Sequence, residues 1–355
     1  MQNLIGQHDW LELLDKLESM HTLTEAEWVA LIDGRTPELS EELLKRARRT
    51  CDEVYGKRVF IRGLIELSSY CRNDCLYCGI RRGNKEAVRY RLSNESVLSC
   101  CEQGHELGFR TFVLQGGEDP YYTDDRVSEL VGLIKKRYPD CAVTLSLGEK
   151  SRSSYQRFFD AGADRYLLRH ETANEEHYSS LHPEGMSAAV RKQCLRDLRD
   201  IGYQVGSGFM VGSPGQDAKR LAEDMKFLES LNPHMVGIGP FIPHSKTPYA
   251  NEPGGTLELT LFMIGCLRLM LPKTLLPSTT ALASIHPQGH EMGMAAGANV
   301  IMPNLSPVEF REAYDLYEGK AHSGLEAAEN LKAVINKLSA VGYEVVVDRG
   351  DSLVL

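Results

Sequence analysis

From residue 58 onward, short runs of branched apolar residues alternate with longer amphipathic stretches, and this rhythm leaves few folds open. Eight runs read as strands: 59–67, 111–115, 142–147, 164–171, 204–210, 235–239, 276–280 and 298–302. Between them, stretches such as 95–107, 127–137 and 218–231 carry apolar residues at the helical period. Repeated strand–helix units build a parallel sheet covered by helices. Eight of them fit a closed α/β barrel, the (βα)8 TIM barrel, better than an open doubly wound sheet. The small-residue strings AGAD at 161–164 and AGAN at 296–299 suit turns from a helix into the next strand.

The ends of the chain read differently. Trp10, Leu11, Leu13, Leu14 and Leu17 recur at helical spacing, and Thr24 with Glu27 makes a capping box. Residues 1–56 are therefore expected to form a helical cap, 57–317 the barrel, and 318–355 an added helix with a short strand at 343–347. One barrel of about 250 residues plus such additions accounts for the 355 residues. Hydrophobic residues at 42% and charged residues at 25% exclude a disordered chain. With 40 basic and 49 acidic side chains the net charge is −9, so no basic surplus exists to neutralise the phosphates of a nucleic acid. No run approaches the ~20 apolar residues of a membrane span. The first residues mix acids and amides without a small-residue cleavage site, which speaks against a signal peptide. The expected location is the cytoplasm.

Three of the nine cysteines fall within eight residues, as Cys71-x3-Cys75-x2-Cys78 directly after the first strand. In a reducing compartment such clustering points to metal binding or catalysis. Three thiolates can hold three irons of a 4Fe–4S cluster, which normally takes four, so one iron stays open to a small molecule. A zinc site completed by a distant ligand, or plain buried cysteines, is the alternative. Cys51, Cys100, Cys101, Cys141, Cys194 and Cys266 lack metal-type spacing and read as small buried hydrophobes.

Other unusual residues also fall at predicted strand ends. The second strand ends in Gln115-Gly116-Gly117-Glu118, where glycines admit close approach of a ligand and Glu118 offers a carboxylate to an ammonium. Alternation along the fourth strand puts Arg165, Leu167, Arg169 and Glu171 on one face. Buried charges are costly unless paired, so this face reads as an anion-binding wall, with a structural Arg–Glu pair as the alternative. Gln115, Thr144, Ser146, Thr279, Thr280, Asn304 and Tyr314 make the upper interior polar where barrels are usually filled by branched apolar residues. An enclosed cavity for a polar or anionic substrate is expected. The lone His244 reads as a loop histidine.

The C-x3-C-x-aromatic-C run, followed by Gly-Gly-Glu after the next strand, resembles the radical S-adenosylmethionine (SAM) superfamily. Four longer strings are similar to the FeFe-hydrogenase maturase family HydE: LQGGEDPYY from Leu114, GADRYLLRHETAN from Gly162, MVGIGPFIPH from Met235 and GANVIMPN from Gly297. The resemblance implies one 4Fe–4S cluster on the catalytic Cys71, Cys75 and Cys78, with SAM at the open iron and cleaved to a 5′-deoxyadenosyl radical. It implies SAM contacts from Tyr77, Gly117, Glu118, Ser146, Arg169, Glu171, Arg191 and Met235. Gln115, Thr144, Arg165, Thr279, Thr280 and Tyr314 are implied to line the substrate cavity. The implied substrate is an iron–carbonyl–cyanide–cysteine complex, with transient contacts to HydG-like and HydF-like maturases and an electron donor. A mutase or sulfur-insertion reaction, as in methylornithine synthase or biotin synthase, is the alternative within the superfamily; a non-catalytic iron–sulfur scaffold is the alternative outside it. Some relatives carry three further cysteines near the C-terminus. Residues 317–329 hold none, so a single cluster is expected. Residues 285–291, with His286 and His290, depart from the family form.

Overall fold

The computed structural model describes residues 7–320 and 327–355. Residues 1–6, from the stretch read against a signal peptide, and 321–326, within the cysteine-free 317–329, lie outside it. In chain order its strands are β1 (Arg58–Ile61), β2 (Gly63–Ser68), β3 (Thr111–Gly116), β4 (Ala142–Ser146), β5 (Arg165–Leu167), β6 (Gln204–Ser207), β7 (Met210–Val211), β8 (Met235–Val236), β9 (Gly239–Pro240), β10 (Val300–Ile301) and β11 (Glu344–Val346). Strands β2-β3-β4-β5-β6-β8 form one six-stranded sheet, parallel throughout. Phe112, Val113 and Leu114 are all buried, as expected of a strand covered on both faces. Helices such as Asn94–Glu106, Asp124–Arg137, Ala188–Ile201 and Ala218–Leu231 intervene between the strands. Ser93, Thr123, Ser187 and Asp217 cap their first turns by accepting from backbone amides.

Several expected strands are shorter than their apolar runs. The run 59–67 divides at Arg62. β1 then pairs with β10 and β11, while β2 starts the six-stranded sheet. The runs 204–210 and 235–239 each divide in two, and β7 pairs with β9. Close approach of the two chains explains the break: a Cβ on Gly208 would lie 1.9 Å from the Gly237 carbonyl oxygen, and its φ is +152°. The run 276–280 forms no ladder. Pro277 has no N–H to give one, and single parallel bridges join Met235 to Leu275 and Pro277 to Val300. Thr280 already opens a helix, Thr280–Ile285. A further parallel bridge joins Leu64 to Asn304.

The helices Gln7–Met20, Glu25–Asp33 and Pro37–Tyr55 precede the sheet, and the Thr24–Glu27 capping box is present. Glu25–Asp33 packs on Ala218–Leu231, and Pro37–Tyr55 on Leu257–Met270, whose residues are nearly all buried in consequence. After the helix Leu331–Ala340, β11 joins β1, and the following residues run beneath the sheet. There Arg62 donates to Gly350 O and Arg165 to Arg349 O. Among the described residues no helix is long and apolar enough to cross a membrane.

Candidate active site

The C-terminal ends of the parallel strands open into a cavity of about 380 Å³. Fourteen of the residues singled out from the sequence line it: Cys71, Tyr77, Cys78, Gln115, Gly117, Glu118, Ser146, Arg169, Glu171, Arg191, Met235, Thr279, Thr280 and Tyr314. Cys75 lies in the same loop, close enough for its thiol to feel those of Cys71 and Cys78. Thr144 and Arg165 were expected in this cavity, and the structure does not bring them there. They face a second, small cavity with Arg62 and His234. The register explains it: Thr144 is paired with Arg165, whereas Ser146 is paired with Gln115. Two residues along a strand are about 6.6 Å, so Thr144 shares a face with Ser146 but lies one layer deeper. Leu167 and Met235 line both cavities and form the partition between them.

The cysteine loop is shaped by its backbone. Arg72 N donates to Glu118 O at 2.9 Å, Arg82 N to Asn73 O at 2.9 Å and Gly79 N to Leu316 O at 2.9 Å. Arg89 ties the loop further, donating to Ser69 O, to Ile80 O at 2.8 Å and to Arg81 O at 2.8 Å. Gly117 serves this packing. A Cβ there would lie 2.3 Å from Tyr70 O and 2.7 Å from Cys71 Cβ, so the glycine lets the end of β3 abut the loop. Burial raises all three thiols, Cys78 to about 12, with mutual repulsion adding to it. Three thiols held neutral in one loop become thiolates when a multiply charged metal centre neutralises them. The other six cysteines are buried and none lines the cavity, so the donor set is three sulfurs. That set fits a 4Fe–4S cluster with one open iron.

Charged groups surround this loop. Glu118 Oε2 accepts from Arg72 Nε at 3.0 Å and Oε1 from Glu149 N at 2.9 Å. Glu171 is one of three non-glycine residues with positive φ among those described, at +64°. Such strain is often stored at functional sites. It sets the Glu171 carboxylate 3.5 Å from Arg169 Nη2, and Arg169 Nε, Arg169 Nη2 and Glu171 Oε2 are buried without a hydrogen-bond partner. Buried polar atoms are normally satisfied; Arg169 Nη2 and Glu171 Oε2 have only their 3.5 Å ion pair, and Arg169 Nε has no hydrogen bond. Arg191 lies 2.7 Å from Glu149. Burial opposes its charge, but Tyr178 and Glu149 raise it above the usual arginine value. Behind it Tyr77 Oη and His182 Nε2 are 3.3 Å apart, and His182 stacks on Tyr178 with ring centres at 3.9 Å. Burial pushes His182 down to about 4, which keeps the ring neutral.

Gln115 Nε2 donates to Tyr314 Oη at 3.3 Å in another part of the wall. Glu66 and Lys320 line the cavity there too, and the sequence reading passed over both. A signal existed for Glu66, an acid inside the apolar strand GLIELS; none existed for Lys320. His244 is buried against Asp315, 3.0 Å away, and has a loop role as expected.

Residues 65–228 match the model of the radical SAM superfamily. Over 310 residues the chain is 46% identical to the [FeFe] hydrogenase maturase subunit HydE of Thermotoga maritima, covering 87% of this chain and 88% of that protein. This chain belongs to the HydE-type family of radical SAM enzymes. It is also 30% identical to the 3-methylornithine synthase of Methanosarcina acetivorans, over 93% of this chain and 92% of that one. The crystal structure of methylornithine synthase (PylB) has a TM-score of 0.84 at 28% identity, with 94% and 97% of the chains covered. The maturase HydG from Carboxydothermus hydrogenoformans, at 23% identity, TM-score 0.81 and 95% and 79% coverage, shares the fold.

A radical SAM enzyme uses a 4Fe–4S cluster and SAM, which together supply a 5′-deoxyadenosyl radical when bound. Arg169 and Glu171 face each other at 3.5 Å with Arg169 Nε unbonded, and the neutral His182, edge-on to Tyr77 and stacked on Tyr178, adds no competing charge. Ile80, Leu167, Met210 and Met302 give the cavity apolar wall, which limits the water that would quench a radical.

Proposed function

We propose that this radical SAM enzyme matures the FeFe-hydrogenase H-cluster, acting on an iron–carbonyl–cyanide–cysteine complex. Cys71, Cys75 and Cys78 hold the cluster. Tyr77, Gly117, Glu118, Ser146, Arg169, Glu171, Arg191 and Met235 surround SAM, and Gln115, Thr279, Thr280 and Tyr314 surround the substrate. The observation that carries this reading is that Cys71 and Cys78 line the same cavity as the polar Gln115, Thr279, Thr280 and Tyr314. The 46% identity to the [FeFe] hydrogenase maturase subunit HydE of Thermotoga maritima supports the same assignment.

The parallel bridges Met235–Leu275, Pro277–Val300 and Leu64–Asn304 support reading the sheet as a closed eight-stranded barrel spanning 57–317. The cap at 1–56 and the addition at 318–355 flank it. The enzyme works in the cytoplasm, in transient contact with HydG-like and HydF-like maturases and an electron donor. The test uses anaerobically reconstituted protein with SAM and a reductant, given either the iron complex or L-lysine. Formation of 5′-deoxyadenosine coupled to loss of the complex's carbonyl infrared bands is the expected result. Turnover of lysine instead would assign the methylornithine-type reaction, which the 30% identical relative makes the competing reading.

A further inference from the structure

Lys320 Nζ lies 2.6 Å from Glu66 Oε1 and 2.8 Å from Tyr314 O, while Asn304 Nδ2 donates to Glu66 Oε2 at 3.0 Å. Both charged residues line the cavity; the Glu66 side chain is 0% exposed and that of Lys320 7%. Burying such a pair forfeits the hydration of two ions, and apolar residues of similar size often hold a wall as well or better. Stability alone is therefore a poor account of it. What the pair provides is a charge fixed in place. An ammonium has three N–H groups; two of these meet Glu66 and Tyr314, and among the described residues none takes the third, which is left for a group in the cavity.

The chain around Lys320 is itself held rigidly. Residues 314–320 are pinned beside the cavity by His244 Nε2 and Asp315 Oδ2 at 3.0 Å, by Ser245 N donating to Glu318 Oε2 at 3.1 Å, and by Gly79 N donating to Leu316 O at 2.9 Å. Lys320 thus arrives from outside the sheet, and Glu66 on β2 fixes where its ammonium stops. With Arg169, the cavity has a second cation with donors to spend.

We infer that Lys320 is a substrate-positioning residue whose ammonium takes the carboxylate of the substrate's amino-acid part, with Glu66 holding it in place. This rests on the function proposed above and names the anchored end of that substrate. In a cysteine ligand only two carbons separate the carboxyl carbon from the sulfur. Anchoring the carboxylate therefore confines the sulfur to a small volume, which is how orientation lowers a barrier. A charge-assisted hydrogen bond in a site poor in water is the strong kind.

The experiment measures equilibrium binding of the iron–carbonyl–cyanide–cysteine complex to the reconstituted, SAM-loaded enzyme through its carbonyl infrared bands. Lys320→Met weakens binding by about 10- to 100-fold, the worth of a charged hydrogen bond, and Lys320→Arg recovers most of it. The double variant Glu66→Gln, Lys320→Met leaves no orphaned charge, so it melts at or above the wild-type temperature and still binds weakly. A pair that served the fold alone would show the reverse, with the double variant restoring binding together with stability. A complex ligated by cysteamine, which lacks the carboxylate, binds wild type and Lys320→Met alike. Wild-type affinity in Lys320→Met, or an equal loss with both complexes, overturns the assignment. If the wild-type enzyme ignores the cysteine complex, the proposed function falls and takes the assignment with it; binding by wild type with no effect of Lys320→Met sinks the assignment alone.

Discussion

Arg165 Nη2 lies 2.6 Å from Asp351 Oδ1, across 186 residues of chain. The same guanidinium donates to Thr111 Oγ1 at 2.9 Å and to Arg349 O at 2.8 Å. An arginine that strand alternation pointed toward the substrate thus ties the chain after β11 to the base of the sheet. Asp351→Asn is expected to lower stability by about 1 kcal/mol, a small figure because Asp351 is half-exposed. For a chain of this size that is a fall in Tm of roughly 2 °C, read by calorimetry, with iron loading unchanged. An unchanged Tm would mean that Thr111 and the Arg349 carbonyl satisfy Arg165 by themselves.

Cysteine-to-alanine changes at 71, 75 or 78 are each expected to abolish stable cluster loading, because a three-sulfur set has no spare ligand. Iron content and visible absorption report this. In the wild type, adding SAM to the reduced cluster shifts its electron paramagnetic resonance spectrum, and chelating the iron lowers Tm. A spectrum indifferent to SAM would remove the basis for an open iron.

Gly117→Ala places a methyl group 2.3 Å from Tyr70 O, a backbone atom that cannot swing aside as a side chain can. Overpacking of this sort costs about 1–3 kcal/mol, and here the strain falls on the residue before Cys71. The expected outcome is a lower Tm together with poor iron retention after reconstitution. Full retention at wild-type Tm would show that the loop has slack.

Stability should also fall with acid through His182. Burial holds its folded value at about 4, against 6.5 for the free side chain. Between these values the unfolded chain binds a proton that the folded chain refuses, so stability is full above pH 6.5 and declines as pH drops toward 4. The decline attributable to this one ring is on the order of 3 kcal/mol. Burial lowers His177 and His234 too, and they act in the same sense. Thermal midpoints measured from pH 7 to 4.5 should slope less steeply in His182→Asn; an identical slope would exclude His182 as a contributor.

Much of this was legible along the chain because its causes are local. Spacing within eight residues announces the cysteine loop, runs of branched apolar residues announce β3 and β4, and the Thr24–Glu27 capping box announces a helix start. Alternation names the face of a strand but says nothing of depth. Ser146 and Thr144 share a face, yet only the register with β3 and β5 puts Ser146 in the cavity and Thr144 one layer below.

By itself, the amino-acid order determined the parallel α/β architecture and the three-sulfur loop, since hydrophobic period, capping and ligand spacing act over a few residues. Tertiary structure alone decided that Glu66 meets Lys320 across 254 residues and that Arg165 meets Asp351. Such pairs are set by how distant segments close upon one another, and a charge leaves no local trace of the partner that will neutralise it.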